Sequence, residues 1–174
     1  TNPEYQYALA SKTDGTLWTW GGNAGNGMGI NLPTNAHRSS PTQLPGTWAI
    51  GRQQICGAEK SAAGIKADGT LWTWGINQEG QLALNSQGDN AGRSSPTQVG
   101  TDTTWDTVYS GNGAGAASKT DGTMWIWGNN DNANLGLNKS TDSFNVSSPT
   151  QLTGTWGVLA ARDNGFMGLK PYNN

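Results

Sequence analysis

The sequence predicts an all-β fold of short strands and many turns, built from tandem units that repeat every 53 to 54 residues. Glycine supplies 26 of the 174 residues, tryptophan supplies nine at regular intervals, and the helix formers Glu, Lys and Leu are sparse. Turns joined by short, aromatic-rich strands have this composition. The mean hydropathy of −0.61 would also suit a disordered chain, but disordered chains are poor in aromatic residues.

A hairpin signal opens each unit. Lys-Thr-Asp-Gly-Thr-Leu-Trp-Thr-Trp-Gly occupies residues 12–21, and close variants occupy 66–75 and 119–128. Asp-Gly between two strand-like runs predicts a tight turn, because glycine accepts a positive φ. Two tryptophans spaced two residues apart share one face of a strand. The predicted anchors of this hairpin are Asp14, Gly15, Trp18 and Trp20, then Asp68, Gly69, Trp72 and Trp74, then Asp121, Gly122, Trp125 and Trp127.

Two more anchors complete the unit. Ser-Ser-Pro-Thr-Gln occupies 39–43, 94–98 and 147–151, and it predicts a short outer strand, since proline is tolerated at a strand edge. A single tryptophan follows each copy, and these three are Trp48, Trp105 and Trp156. The stretch from Trp48 to Ile55 predicts an inner strand that enters the next hairpin. Together, these segments predict four short strands per unit.

The chain divides by sequence into repeats at about 5–58, 59–112 and 113–160, with a partial repeat at 161–174. It begins and ends inside a unit, because no tryptophan anchor precedes the first hairpin and the last segment stops at the lead-in to a fourth. We expect the 174 residues to be part of a longer chain. Assembly of several copies into one ring is the alternative.

The second unit carries the resemblance to a known family. Its motifs are Asp-Gly-Thr-Leu-Trp-x-Trp-Gly-x-Asn, Gly-Gln-Leu-x-Leu at 80–84 and Ser-Pro-Thr-Gln-Val at 95–99. This pattern resembles the RCC1-type repeat in its bacterial and phage form, over nearly the whole chain. The first and third units depart from it at 25–29 and 133–137. The resemblance implies RCC1-like β-propeller blades. Because propellers have roughly four to eight blades, about three blades predict an open arc, or part of a larger or oligomeric propeller.

Charge and rare residues bear on several function classes. A net charge of −2 offers no basic footprint for nucleic acid, and no apolar run is long enough to insert into a membrane. His37 and Cys56 are the single residues of their types, so we expect no catalytic residues, no metal site and no cofactor. The Asn-rich stretch 129–134 has oxygen ligands for calcium but lacks the glycine and final glutamate of an EF-hand loop.

The repeated polar and aromatic residues have a structural interpretation. Lysine and aspartate recur identically in every hairpin, whereas a functional site normally breaks such symmetry. The aspartates are therefore expected to accept turn hydrogen bonds. We expect the tryptophans to form the core between blades, and exposed tryptophans that stack on sugars are the alternative.

The segments between anchors point to binding. Residues 22–38, 76–93 and 129–146, of 17, 18 and 18 residues, diverge while the anchors repeat, and long loops on a rigid scaffold are where binding usually occurs. We therefore predict a non-catalytic structural or protein-interaction module. Its partners would be other protein chains, including further blades of the same protein or copies of itself. A carbohydrate-binding, lectin-like module is one alternative, and an inhibitor or regulator acting through one propeller face is another. Low charge with abundant Asn, Gly and Thr favours an extracellular or virion-surface location.

Overall fold

The computed structural model describes residues 6–34, 36–138, 144–162 and 165–169. Its described part holds thirteen strands in four antiparallel sheets and no α-helix, so the all-β prediction is confirmed. The first sheet, here called blade 1, has the order β1-β2-β3 and contains Tyr7–Ser11, Leu17–Gly21 and Arg38–Leu44. A short 3-10 turn, Ala24–Asn26, lies between β2 and β3.

Two complete four-stranded blades follow. Blade 2 has the order β4-β5-β6-β7 and contains Ile55–Gly57, Ser61–Ile65, Leu71–Gly75 and Arg93–Gln98. Blade 3 has the order β11-β10-β9-β8, so that its outermost strand is again the last in sequence. Its strands are β8 (Trp105–Ser110), β9 (Ala114–Lys119), β10 (Met124–Gly128) and β11 (Val146–Leu152).

A last pair of strands, β12 (Val158–Arg162) and β13 (Gly165–Leu169), begins a fourth sheet. The edge strands β4, β8 and β12 contact one another in succession, so the blades converge on this side. The structure thus has three, four, four and two strands in its sheets, as expected for two whole blades between incomplete ones.

The inner strand is shorter than the sequence suggested. It was expected to run from Trp48 to Ile55, but β4 covers only Ile55–Gly57. Trp48 instead forms an isolated bridge with Lys66 across the top of the hairpin. Between Trp48 and β4 the chain turns through residues 51–54. Gln53 has a positive φ there, so the segment cannot continue as a strand.

The sheets divide the chain at different points from the sequence repeats. Each complete blade takes its first strand from the end of one sequence repeat and its other three from the next, as β4 at 55–57 and β5 to β7 at 61–98 show. The repeat boundaries near 58 and 112 therefore fall in the turns β4–β5 and β8–β9. Successive blades are linked because each sequence repeat contributes strands to two sheets.

The hydrophobic core lies between neighbouring blades. Leu17 and Leu44 of blade 1 pack with Trp48, Ala62 and Trp74 at the first junction. The second junction buries residues from blades 2 and 3 together, namely Ala63, Ile65, Leu71, Ala83, Val99, Trp105, Val108, Ala117 and Trp127. Along β6, Leu71 and Thr73 are buried on the face opposite the tryptophans, as the two-residue period predicts.

A bulge marks the end of each hairpin. The pairing of β6 with β7 shifts between Thr73 and Gly75, and the equivalent shift occurs in blades 1 and 3. Gly75 has φ +108°, and a β-carbon there would overlap the backbone of Lys60 and Ser61. Glycine is therefore required where the strand leaves the sheet and the long segment begins. No described helix has the length and apolarity to span a membrane.

Candidate functional site

The Asp-Gly hairpins form one hydrogen-bond relay, repeated three times. Asp68 Oδ1 accepts from the backbone N–H of Thr70 at 3.1 Å and from its hydroxyl at 2.6 Å. The Thr70 hydroxyl oxygen accepts from Trp72 Nε1 at 2.8 Å. The relay recurs as Asp14, Thr16 and Trp18, and as Asp121, Thr123 and Trp125.

Each hairpin is a three-residue loop with its glycine in the left-handed region, at φ +81°, +80° and +82° for Gly15, Gly69 and Gly122. The threonine hydrogen bonds lower the pKa of Asp14, Asp68 and Asp121 below the ordinary value, because they favour the ionised carboxylate. These aspartates are thus turn residues whose Oδ1 atoms accept hydrogen bonds within their own hairpins.

A lysine ammonium lies over the first of the two tryptophans in each hairpin. The distance from Nζ to the ring centroid is 4.1 Å for Lys12 over Trp18 and 4.2 Å for Lys119 over Trp125. Lys66 lies closest, at 3.4 Å from the Trp72 ring. Such contacts are attractive because the ring face is electron-rich, and they also cover one face of each tryptophan.

The third tryptophan of each unit packs at the top of the next hairpin. Trp48 is buried and meets Trp74 edge-on, with ring centroids 5.8 Å apart. Trp105 is buried against Trp125 in the same manner, at 6.2 Å. Trp156 is half-buried and donates from Nε1 to the Thr153 carbonyl. The indole N–H groups of Trp48 and Trp105 are buried without an acceptor.

The second hairpin tryptophan reaches into the preceding blade. Trp74 Nε1 donates to the Gly27 carbonyl of blade 1 at 2.8 Å, and Trp127 Nε1 donates to the Gln81 carbonyl of blade 2 at 2.9 Å. Both side chains are fully buried. Trp20 holds the equivalent position in blade 1 and is half-buried. The long segment of one blade therefore accepts a hydrogen bond from the next.

The long segments share a turn that sequence reasoning did not assign a role. A buried asparagine begins it, and its Oδ1 accepts from a backbone N–H five residues later, as in Asn77 to Leu82 at 3.0 Å. Asn23 and Asn130 do the same for Met28 and Leu135. The signal was visible, because an asparagine follows each Trp-Gly pair at the same distance.

The turns also agree in backbone conformation and in their contact with the next blade. Positive φ recurs at equivalent positions, and the third of these is Asn31, Asn85 and Asn138. Asn31 N donates to Ser94 O of blade 2, and Asn85 N donates to Ser147 O of blade 3, both at 2.8 Å. Nine residues near the start of each segment, 23–31, 77–85 and 130–138, are therefore scaffold, here called the shared turn.

What differs between the segments lies after the shared turn. These distal segments are 32–37, 86–92 and 139–145, and residues 35 and 139–143 lie outside the described part. Their exposed side chains include His37 in the first, Asp89 in the second and Phe144 in the third, whose side chain is 72% exposed. The first two join equivalent strands, β2 to β3 and β6 to β7, so both lie at the same end of their blades.

The remaining candidate residues have ordinary surroundings. Cys56 is half-buried on β4, and burial raises the pKa of its thiol to about 12, which disfavours the nucleophilic thiolate. In the Asn-rich stretch, Asn129 Nδ2 donates to Asp131 and Asn130 Oδ1 accepts from Leu135 N. The described residues contain no group of three or more His, Cys, Asp or Glu side chains placed to hold a metal.

Comparison with known proteins identifies the repeat. The family model "Regulator of chromosome condensation (RCC1) repeat" matches residues 68–117, from the second Asp-Gly hairpin into β9. These residues are therefore similar to one RCC1-type repeat. The matched unit spans parts of blades 2 and 3, in line with the linkage of the two sheets by one sequence repeat.

Two curated relatives are similar to this chain in sequence. The chain is 28% identical to the mitochondrial RCC1 domain-containing protein RUG3 of Arabidopsis thaliana, covering 75% of this chain and 29% of the relative. It is 26% identical to human probable E3 ubiquitin-protein ligase HERC6, covering 79% of this chain and 14% of the relative. Less than a third of each relative's length is thus spanned.

The structural matches show the fold. Human WBSCR16 superposes with a TM-score of 0.75 and Prp20p from Saccharomyces cerevisiae with 0.77, each at 18% identity. The matches cover 95% and 96% of this chain and 42% of each solved chain. The blades of this chain therefore have the fold of RCC1 β-propeller blades.

Proposed function

We propose that this chain is a protein-interaction module without catalytic activity of its own, which binds partners through the distal segments of its long loops. The observation that carries the proposal is the division of each long segment. The shared turn repeats in backbone conformation and hydrogen bonding, whereas residues 32–37 and 86–92 differ in sequence and include exposed side chains such as His37 and Asp89. A scaffold that holds diverse loops at one edge is suited to recognition.

The relatives support a role in protein binding. Prp20p of yeast binds Gsp1p and histones, and a second structure shows the same protein bound to Kap60. HERC6 is named a probable ubiquitin ligase, but the similarity covers 14% of it. We extend the general property, binding of other proteins, to this chain and leave the individual partners with the relatives.

Loop replacement tests the proposal. The chain is immobilised, and proteins captured from a lysate of the source organism are quantified by mass spectrometry. Replacing residues 86–92 with Gly and Ser of equal length keeps the Ser86 carbonyl, which accepts from Asn77 Nδ2, so the shared turn should remain folded. Matched controls are Thr13→Ala and Thr120→Ala. Both are exposed hairpin positions at the opposite end of the strands from the long segments.

The expected result is a captured protein that is lost with the loop variant and retained with both hairpin controls. Capture that survives replacement of residues 32–37 and of 86–92 would contradict the proposal. A protein that all variants capture equally is bound outside the distal segments, and capture of such proteins alone would contradict the role of those segments.

The stacked lysines count against sugar recognition by the hairpin tryptophans. A sugar ring needs an open indole face, and Lys12, Lys66 and Lys119 each cover one. The carbohydrate alternative is tested by a glycan array. Completion of the arc by further blades or by copies of this chain stays a prediction, and the native mass of the source protein tests it against the 18.3 kDa of this chain.

A further inference from the structure

A groove of about 370 Å³ lies between blades 1 and 2. Its walls come from the shared turn and outer strand of blade 1 and from the hairpin and outer strand of blade 2. The lining is mainly apolar, with two amides and one ammonium among the side chains. The lining residues used below are Ile30, Gln43, Pro45, Lys66, Trp72 and Pro96.

Lys66 supplies the charge of this groove. Its Nζ lies 3.4 Å from the Trp72 ring centroid, and no carboxylate of the described residues comes within ion-pair distance of it. Gly46 packs closely against this side chain, because a β-carbon there would lie 3.1 Å from Lys66 Cε and 3.4 Å from Lys66 Nζ. The ammonium is therefore half-buried beside an open groove, and Asp68, whose pKa it helps to lower, lies beyond ion-pair distance.

The next junction shows what this lysine position binds. Lys119 holds the place of Lys66 in blade 3, and its Nζ pairs with Asp102 Oδ2. The other oxygen of Asp102 accepts from the backbone N–H and hydroxyl of Thr104. At this junction, a carboxylate from the chain itself thus occupies the position beside the lysine.

The difference between the junctions arises from loop length. Five residues lie between Val99 and Trp105, and three lie between Leu44 and Trp48. The shorter connection is Pro45-Gly46-Thr47, which has no acidic side chain. Trp105 Nε1 lacks an acceptor even beside Asp102, so the carboxylate is held by the lysine and not by the indole.

We propose that the groove between blades 1 and 2 binds an acidic side chain of a partner polypeptide, with its carboxylate on Lys66 and a neighbouring apolar residue against Trp72, Pro45 and Pro96. The exposed amide of Gln43 offers a further donor at the rim. Charge complementarity and the Lys119–Asp102 pair carry the assignment. It rests on the proposed function, since it takes the occupant to be a protein.

Indole N–H signals report on this groove. The chain, labelled with ¹⁵N, is titrated with the peptide Ac-Leu-Asp-Leu-NH₂ while the nine tryptophan Nε1–H resonances are followed. The matched neutral peptide is Ac-Leu-Asn-Leu-NH₂, and sodium acetate tests the carboxylate alone. Lys66→Met keeps an apolar stem over Trp72 and removes the charge. Lys12→Met makes the same change over Trp18, a residue that does not line the groove.

We expect the acidic peptide to shift the Trp48 and Trp72 signals with an affinity at least about tenfold higher than that of the neutral peptide. Lys66→Met should lose this preference, and Lys12→Met should keep it. Equal shifts with both peptides, or an unchanged preference in Lys66→Met, would overturn the proposal. Acetate as effective as the peptide at equal concentration would overturn the peptide assignment.

The test is independent of the loop experiment. If the peptides fail while capture by the distal segments persists, the groove assignment alone is wrong. If capture also fails, the proposed function falls with it. Unfolding of Lys66→Met is excluded by unchanged dispersion of the other indole signals, and a graft of Gly-Thr-Asp-Thr-Thr in place of residues 45–47 gives a second variant. The graft supplies an internal carboxylate and should block the peptide.

Discussion

Single asparagines hold the long loops of this molecule in place. Asn77 has both ends of its amide in use, with Oδ1 accepting from Leu82 N and Nδ2 donating to Ser86 O. It is 1% exposed, so water cannot replace either partner. A buried polar group that loses its partner costs more than the hydrogen bond itself contributes.

Asn77→Ala should therefore lower the free energy of unfolding by about 2 kcal/mol or more, because it leaves a buried N–H and a carbonyl unpaired. Urea titration followed by tryptophan fluorescence measures this. Gln78→Ala is the matched control, since the exposed Gln78 bonds only to the side chain of Asp89, and it should change stability by no more than about 0.5 kcal/mol. Equal effects from both variants would contradict a structural role for Asn77.

Acid should weaken the Asp102–Lys119 contact. The hydrogen bond from Lys119, aided by that from Thr104, lowers the pKa of Asp102 from 3.8 to about 2. A lowered folded-state pKa means that the contribution is present above the unfolded-state pKa and is lost as pH falls through the folded-state value. We expect a loss of stability between about pH 4 and pH 2 that is smaller in Asp102→Asn.

Acid unfolding followed by circular dichroism measures this difference. Asp106→Asn, an exposed aspartate on β8, serves as the control and should follow the original chain. Because Asp102 is 36% exposed, added salt should also reduce the difference between Asp102→Asn and the original chain. An identical acid transition in Asp102→Asn and the original chain would contradict the assignment.

At the scale of the element, the exit from each hairpin is the most constrained point. Gly75 combines a positive φ with the close approach of the β5 entry, where a β-carbon would overlap Lys60 and Ser61. Gly88, in a distal segment, has almost the same φ, +112°, but nothing within 4 Å of the added atom. Comparing an alanine substitution at each of the two glycines therefore distinguishes the cost of backbone strain from the cost of steric overlap.

Gly88→Ala should cost about 1 kcal/mol of unfolding free energy, because only the strained conformation is penalised. Gly75→Ala should cost at least about 3 kcal/mol, since overlap with the neighbouring strand is added to the same strain. Thermal unfolding measures both. Similar costs would show that β5 moves aside easily, against the close fit described for the bulge.

At the scale of the whole molecule, the period, the hairpins and the blade architecture were predictable because they depend on side chains that recur in every unit. The hydrogen bonds that join neighbouring blades through the second hairpin tryptophan were not predictable. Trp74 and Trp127 donate to the carbonyls of Gly27 and Gln81, and any residue provides a carbonyl, so the two acceptor positions share no side-chain identity. The short β4 was likewise missed, because positive φ at Gln53 leaves no clear mark in the sequence.

The candidate site was predictable only in outline. The location of diversity in the long segments was correct as a description of sequence, but half of each segment proved to be scaffold. The groove at Lys66 could not be foreseen, because it depends on a connection two residues shorter than its counterpart and on the packing of two blades. Such a difference is meaningful only when the equivalent Lys119–Asp102 pair is seen in three dimensions.

The offset between sequence repeats and sheets also bears on how such a molecule can change in size during evolution. A recombination junction near residue 58 or 112 falls in the turn between the first and second strands of a sheet. A unit that is lost between two such junctions takes the first strand of the following sheet with it, and the preceding unit supplies an equivalent strand in its place. A unit that is gained inserts in the same way. Every sheet is then rejoined by hydrogen bonds across the junction, so blade number can drift while each blade stays whole.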